Sequence, residues 1–113
     1  MINKTRVLAC AVRYLELTGC TIIDKNFQNK GNIIVFKDED DVAICEVRYT
    51  TKGMPSHFDN MLRNDFEDLV WKFFAQPDAP VDIAIRYDTI DVVIVNEDRA
   101  IIRHGVNNEV CDE

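Results

Sequence analysis

The sequence predicts one α/β domain over residues 1–113, with helices packed on a mixed sheet in the order αβββαββ. Two segments repeat their apolar residues with the period of a helix, and the others alternate with period two or form β-branched runs. Three strands lie between the helices and further strands follow, which is typical of a sheet covered by helices. A chain of 113 residues, 47% hydrophobic and 29% charged, is large enough for one packed core.

Two helices are predicted from their apolar stripes. The first ends before Gly19, which suits the left-handed residue that follows a helix. The second begins at a capping pattern, Ser56 with Asp59 three residues later, and ends before Pro77. Trp71 falls off the second stripe, and we expect it to pack at the edge of the stripe rather than to form a partner surface. The stripes consist of Val7, Cys10, Ala11, Tyr14 and Leu15, and of Phe58, Met61, Leu62, Phe66, Leu69, Val70 and Phe73.

The strands are predicted from β-branched runs and from period-two alternation. The acidic run at 38–41 separates two of them and is expected to form a solvated hairpin tip. The fourth strand is long, and we expect a bend in it near Asp88. The predicted strands cover residues 20–27, 32–36, 42–49, 81–95 and 100–105.

Charge and cysteine content limit the classes of function. A net charge of −7 argues against a strongly basic nucleic-acid binder, but the charge is unevenly distributed. Residues 1–37 carry six basic and two acidic side chains, whereas residues 58–113 carry five basic and thirteen acidic ones. The four cysteines lack the short spacing of a zinc site or a redox dithiol. We therefore expect a reduced, cytoplasmic protein with no membrane-spanning segment.

The third strand carries a pattern that suggests a reaction. Alternation places Glu46 and Arg48 on one face, with Ile44, and turns Cys45 and Val47 to the other. A carboxylate and a cation two residues apart suit metal-assisted phosphodiester hydrolysis. Glu46 would bind Mg²⁺ or Mn²⁺, and Arg48 would neutralise the scissile phosphate or orient the attacking water. The same pair is more often an ion pair on the surface of a sheet.

Short motifs around this pair form an ordered series along the chain. They read AVRYLELTGCTII at 11–23, NFQ at 26–28, GNIIVF at 31–36, EVR at 46–48, RYD at 86–88 and RHGVNN at 103–108. The series resembles the YraN-like family of small bacterial predicted endonucleases, which is similar to archaeal Holliday-junction resolvases. The resemblance implies the PD-(D/E)xK nuclease superfamily, with a restriction-endonuclease-like, three-layer α/β/α core and metal-dependent cleavage of DNA.

The sequence departs from the family where that chemistry would lie. The family's G-E-I-D motif carries a metal-binding Asp, and this position is Ile34; the neighbouring Glu is Asn32. An acidic residue early in the first helix aligns with Leu8, and the Lys of E-V-K is Arg48, which cannot accept a proton. Glu46 is the one carboxylate that remains, whereas a Mg²⁺ site usually needs more than one.

Three functions stay open at this point. The first is a weak or inactive nuclease-fold protein that still binds DNA, branched or linear. The second is an active Mg²⁺- or Mn²⁺-dependent endonuclease with a relocated carboxylate. The third is a protein-interaction module that uses the acidic second half, and a homodimer is compatible with each. The expected DNA contacts are Asn26, Gln28, Lys30, Asn32 and Lys52, and the candidate replacement ligands are Asp24, Asp38 and Asp40.

Overall fold

The structure, a computed structural model, describes residues 4–51 and 58–112. The described part confirms the predicted order αβββαββ and adds one short 3-10 turn. Its elements are α1 (Lys4–Leu17), β1 (Thr21–Asp24), the 3-10 turn (Phe27–Asn29), β2 (Ile33–Asp38), β3 (Asp41–Thr51), α2 (Arg63–Phe74), β4 (Ala84–Asn96) and β5 (Arg99–Gly105). Neither α1 nor α2 is long and apolar enough to cross a membrane.

The strands form one mixed sheet in the order β1-β2-β3-β4-β5. Neighbouring strands are antiparallel except β3 and β4, which run parallel and are joined through α2, as a parallel pair requires a crossover. Their pairing extends from Asp41 opposite Ala84 to Thr51 opposite Ile94. This central pair fixes which side chains of the two strands are neighbours.

The two helices cover opposite faces of the sheet. On the α1 face, Ala11 and Leu15 pack against a core that includes Ile34. On the α2 face, Leu69 and Phe73 pack against a second core. The predicted alternation of β3 is confirmed, because its side chains divide between the two cores. Ala43, Cys45 and Val47 belong to the α1 face, and Ile44 belongs to the α2 face.

The start of α2 differs from the prediction. The helix begins at Arg63, so the capping pattern at Asp59 is wrong, and Ser56 lies outside the described residues. Residues 58–61 keep helical spacing but are not helical, because Arg48 of β3 binds the Asp59 carbonyl and the Asn60 side chain. A contact from a distant strand therefore overrides the local periodicity.

Three smaller expectations also change. β1 ends at Asp24, whose carboxylate accepts a hydrogen bond from the Asn26 backbone N–H and turns the chain. β4 begins at Ala84 rather than at residue 81 and continues through Asp88 as one strand; the bend predicted near Asp88 stays a prediction. Trp71 does not pack against the stripe; its side chain is 75% exposed. Gly19 has the positive φ of +92° that the sequence predicts after α1.

Candidate functional site

Glu46 lies on β3 and faces α2. One of its oxygens, Oε1, accepts a hydrogen bond of 2.6 Å from the Tyr87 hydroxyl. The same hydroxyl accepts a bond of 2.9 Å from the Met61 backbone N–H. Burial, together with the bond to Glu46, raises the pKa of Tyr87, so the phenol stays protonated and continues to donate. Glu46 therefore helps to position the segment before α2.

Arg48 is held by its neighbours on all sides of the guanidinium. Its Nε and Nη2 donate to the two carboxylate oxygens of Asp91 at 2.7 and 3.1 Å. Its Nη1 donates to the Asp59 carbonyl at 3.1 Å and to Asn60 Oδ1 at 3.2 Å. The guanidinium carbon lies 5.0 Å from the centre of the Phe58 ring, and the side chain is 11% exposed. Arg48 thus joins β4 to the segment before α2, in a two-bond geometry that lysine cannot form.

Three positions at which the sequence departs from the family's motifs lie close together. Leu8 of α1, Asn32 before β2 and Arg48 of β3 line one recess of about 250 Å³, which we call the Leu8 recess. Lys4 and Tyr49 also line it. Its described lining contains two cations, an amide and two aromatic rings, and it includes no carboxylate. This set suits an anion better than a divalent cation, which prefers carboxylate oxygens.

A groove of about 400 Å³, the Glu46 groove, shares Asn32 with this recess. Lys30 and Glu46 line it together with Asp65 and Asp68 of α2. Although three carboxylates line the groove, no three His, Cys, Asp or Glu side chains in residues 4–51 and 58–112 form a group that could hold a metal ion. Whether this groove binds Mg²⁺ or Mn²⁺ stays a prediction.

The position aligned with the family's metal-binding Asp faces away from Glu46. Ile34 pairs with Cys45, and both are fully buried in the core of the α1 face. Glu46 pairs instead with Ile33 of β2, a residue of the α2 face. A carboxylate at position 34 would therefore point into the α1 core and could not share a metal ion with Glu46.

The structure does not bring the candidate replacement ligands to Glu46. Asp38 and Asp40 lie at or next to the β2–β3 tip, where Asp38 pairs with Arg86 at 2.9 Å. This tip adjoins the first residue of β3, five residues before Glu46, or about 17 Å of strand. Asp24 lies on β1, which β2 separates from β3 by two strand spacings, roughly 10 Å.

The residues predicted to contact DNA have different roles in the structure. Asn26 closes its own loop, because its Oδ1 accepts a hydrogen bond of 2.7 Å from the Gly31 backbone N–H. Gln28 lies in the same loop with a φ of +57°. Lys30 and Asn32 do lie together in the Glu46 groove. Lys52 is outside the described residues.

A buried polar network on the α1 face was missed by the sequence reasoning. Asp88 of β4 is fully buried and binds His104 Nε2 at 2.8 Å, Arg86 Nε at 2.9 Å and the Asn107 backbone N–H at 3.0 Å. Burial opposes the charged form, but the bonds from His104, Asn107 and Arg86 prevail and hold the pKa of Asp88 below its ordinary value. Because the carboxylate only accepts, the His104 proton lies on Nε2, and in the neutral ring Nδ1 accepts from the Tyr14 hydroxyl at 3.0 Å.

A signal for this network was present in the pattern of β4. Asp88 shares its alternation with Ile90, Val92 and Ile94, which all lie in the core of the α1 face. A carboxylate on such a face must be paired or hydrogen-bonded. The network continues outward, because Arg86 also binds Asp38 and Asp41 at 2.9 and 3.3 Å.

Comparison with known proteins gives this chain no relative. It matches no protein-family model, and a search of curated proteins finds no match. The function must therefore be inferred from the Leu8 recess, the Glu46 groove and the charges around them.

Proposed function

We propose that this chain is a nuclease-related protein that binds nucleic acid without cleaving it. The observation that supports the proposal is the Leu8 recess, where Leu8, Asn32 and Arg48 lie together. They supply a leucine, an amide and a guanidinium at positions where the family that the sequence resembles carries acids and a lysine. The five-stranded mixed sheet with one helix on each face is compatible with a restriction-endonuclease-like core.

The phosphate contacts are assigned to the lysines rather than to Arg48. Arg48 already gives both edges of its guanidinium to Asp91 and to the segment before α2, so it contributes positioning and local potential. Lys4 in the recess and Lys30 in the adjoining groove are exposed ammonium groups that can bind phosphate. Tyr49, which is 40% exposed, offers a ring on which an unpaired base can stack.

The arrangement of acids argues against cleavage and for the recess as the binding region. Glu46, Asp65 and Asp68 repel a phosphate backbone from the Glu46 groove, so the backbone would follow the recess and meet Lys30 where that residue adjoins Gly31 of the recess lining. Glu46 also has one oxygen bound to Tyr87. Arg48, whose guanidinium stays protonated, cannot accept a proton from an attacking water.

The test is a fluorescence-anisotropy titration of a labelled four-way DNA junction and a labelled linear duplex. We expect binding at 50 mM salt that weakens steeply by 200 mM, because phosphate contacts release counterions. Replacing Lys4 and Lys30 together by glutamine should reduce the log–log salt slope by about one per lysine. Replacing Lys25 and Lys37 together by glutamine is the matched control, since both are exposed and neither lines the recess or the groove.

Two results would overturn the proposal. One is the absence of binding to either DNA at 50 mM salt. The other is cleavage in Mg²⁺ or Mn²⁺ that Glu46→Gln abolishes, which would establish the active endonuclease instead.

A further inference from the structure

We propose that the open groove between α2 and residues 107–112 binds a basic, partly apolar peptide segment of a partner protein. This groove, the Trp71 groove, has a volume of about 1000 Å³ and also takes in residues 85–87 of β4. It lies on the side of α2 away from Asp65 and Asp68, so it is separate from the nucleic-acid site proposed above. The proposal does not depend on that function.

The groove exposes two aromatic side chains, one of which, Phe74, also contacts the ring of the core residue Phe73 at 5.5 Å between centroids. Trp71 is 75% exposed and Phe74 is 42% exposed, although both lie on a helix whose opposite stripe is packed. Phe66 and Val70 extend the apolar lining toward the start of α2. Clustered exposed aromatics are typical of protein-binding surfaces, where tryptophan often carries much of the binding energy.

The charges around the groove select a basic partner. The described lining carries three carboxylates, Glu67, Glu109 and Asp112, and two guanidinium groups, Arg63 and Arg86. Both cations are engaged, Arg63 with Asp112 at 2.7 Å and Arg86 with the buried Asp88 at 2.9 Å. Glu67 and Glu109 therefore leave the groove with excess negative charge. This charge favours an arginine or lysine beside the Trp71 indole, and it disfavours nucleic acid.

The C-terminal wall of the groove is held in place by backbone bonds. The Asn108 N–H donates to the Tyr87 carbonyl at 2.7 Å, and the Cys111 N–H donates to the Met61 carbonyl at 2.8 Å. Asn60 Nδ2 donates to the Glu109 carbonyl at 2.9 Å. The wall therefore exists before a partner arrives, which lowers the ordering cost of binding.

Peptide binding can be followed by the fluorescence emission of Trp71, because it is the only tryptophan in the sequence. The probe is a synthetic peptide of alternating arginine and leucine, with a glutamate–leucine peptide of the same length as its counterpart. We expect saturable change in Trp71 emission with the first peptide and none with the second. For variants that lack the indole, the affinity is measured instead by the fluorescence anisotropy of a labelled peptide.

Two variants and one control test the assignment. Trp71→Ala should lower the affinity for the arginine–leucine peptide by about tenfold, and Glu67→Gln should lower it by about threefold. Glu97→Gln makes the same change at the exposed β4–β5 turn and should leave the affinity within about twofold. All three side chains are exposed, so the variants should retain the fold.

Three outcomes would overturn the proposal. The first is equal peptide binding by wild type, Trp71→Ala and Glu67→Gln. The second is a change of Trp71 emission on addition of a DNA duplex that exceeds the change with peptide. The third is a dimer of the protein alone in sedimentation that Trp71→Ala dissociates, since the groove would then be an interface between copies.

Discussion

At the scale of single residues, the side chains that suggest a nuclease act as connectors. Arg48 and Glu46 lie on one face of β3, as the alternation predicts. Arg48 binds Asp91, and Glu46 binds Tyr87, whose hydroxyl receives the Met61 N–H. Arg48 also donates to the Asp59 carbonyl, so both side chains join the central strands to the segment before α2. A motif can therefore persist in a sequence because its residues hold the fold, whatever chemistry an ancestor performed.

Asp88 should make a measurable contribution to stability that depends on pH. Asp88→Asn removes the buried carboxylate that Arg86 and His104 share, and we expect the free energy of unfolding to fall by about 3 kcal/mol. The pKa of Asp88 is lowered in the folded protein, so its charge stabilises the fold above the ordinary carboxyl pKa. That contribution is lost as the pH falls through the folded pKa.

Urea unfolding between pH 7 and pH 2 measures both effects. The wild type should lose more stability toward acid than Asp88→Asn does. Asp40→Asn, at the exposed hairpin tip, is the control and should change the stability by less than about 0.5 kcal/mol. Equal acid sensitivity of wild type and Asp88→Asn would contradict the linkage.

Ile34→Asp distinguishes a lost metal ligand from a core position. If position 34 faced Glu46, the substitution would create metal binding. Because Ile34 is fully buried on the α1 face, we expect no metal binding and a loss of several kcal/mol, as for any unpaired buried carboxylate. Thermal unfolding with and without Mn²⁺ provides the measurement, and Ile34→Val, costing about 1 kcal/mol, is the control. Stabilisation of Ile34→Asp by Mn²⁺ would show that the side chain at position 34 faces Glu46 rather than the α1 core.

At the scale of elements, the sequence pattern correctly predicted the features that depend only on the spacing of nearby residues. The faces of β3 and the end of α1 at Gly19 follow from period two and from a left-handed residue. The start of α2 could not be predicted, since residues 58–61 keep helical spacing and the contact that prevents the helix comes from Arg48. The pairing of Arg48 with Asp91 could not be predicted either, because Asp91 becomes its neighbour only through the parallel register of β3 and β4.

Arg48→Lys tests whether the segment before α2 depends on this contact. Lysine keeps the charge but cannot bind both oxygens of Asp91 and also reach Asn60. We expect a loss of about 2 kcal/mol in stability and faster hydrogen exchange at the Met61 amide. The substitution introduces the lysine of the E-V-K motif that the sequence resembles, yet we expect no DNA cleavage.

Arg63→Lys is the matched control for that experiment. Arg63 is half-exposed and pairs with Asp112 near the chain's end, so its replacement should affect the stability little. Unchanged Met61 exchange in Arg48→Lys would show that other contacts, such as the Tyr87 hydroxyl, are sufficient to hold the segment.

At the scale of the whole molecule, α2 separates two surfaces of different chemistry. Asp65 and Asp68 line the Glu46 groove beside Lys30, whereas Glu67 and Trp71 line the Trp71 groove. The uneven charge along the sequence thus becomes an uneven charge across the fold. A single net charge of −7 conceals this arrangement.

The two surfaces should bind their ligands independently. They share α2 but no lining residue, and exposed charges on separate surfaces are largely screened beyond about 8 Å at physiological salt. At 150 mM salt, saturating arginine–leucine peptide should therefore change the affinity for the DNA junction by less than about twofold. Trp71→Ala should leave the junction titration unchanged, and replacing Lys4 and Lys30 by glutamine should leave the peptide titration unchanged. A larger effect in either direction would mean that α2 couples the two surfaces, because binding free energies at linked sites change reciprocally.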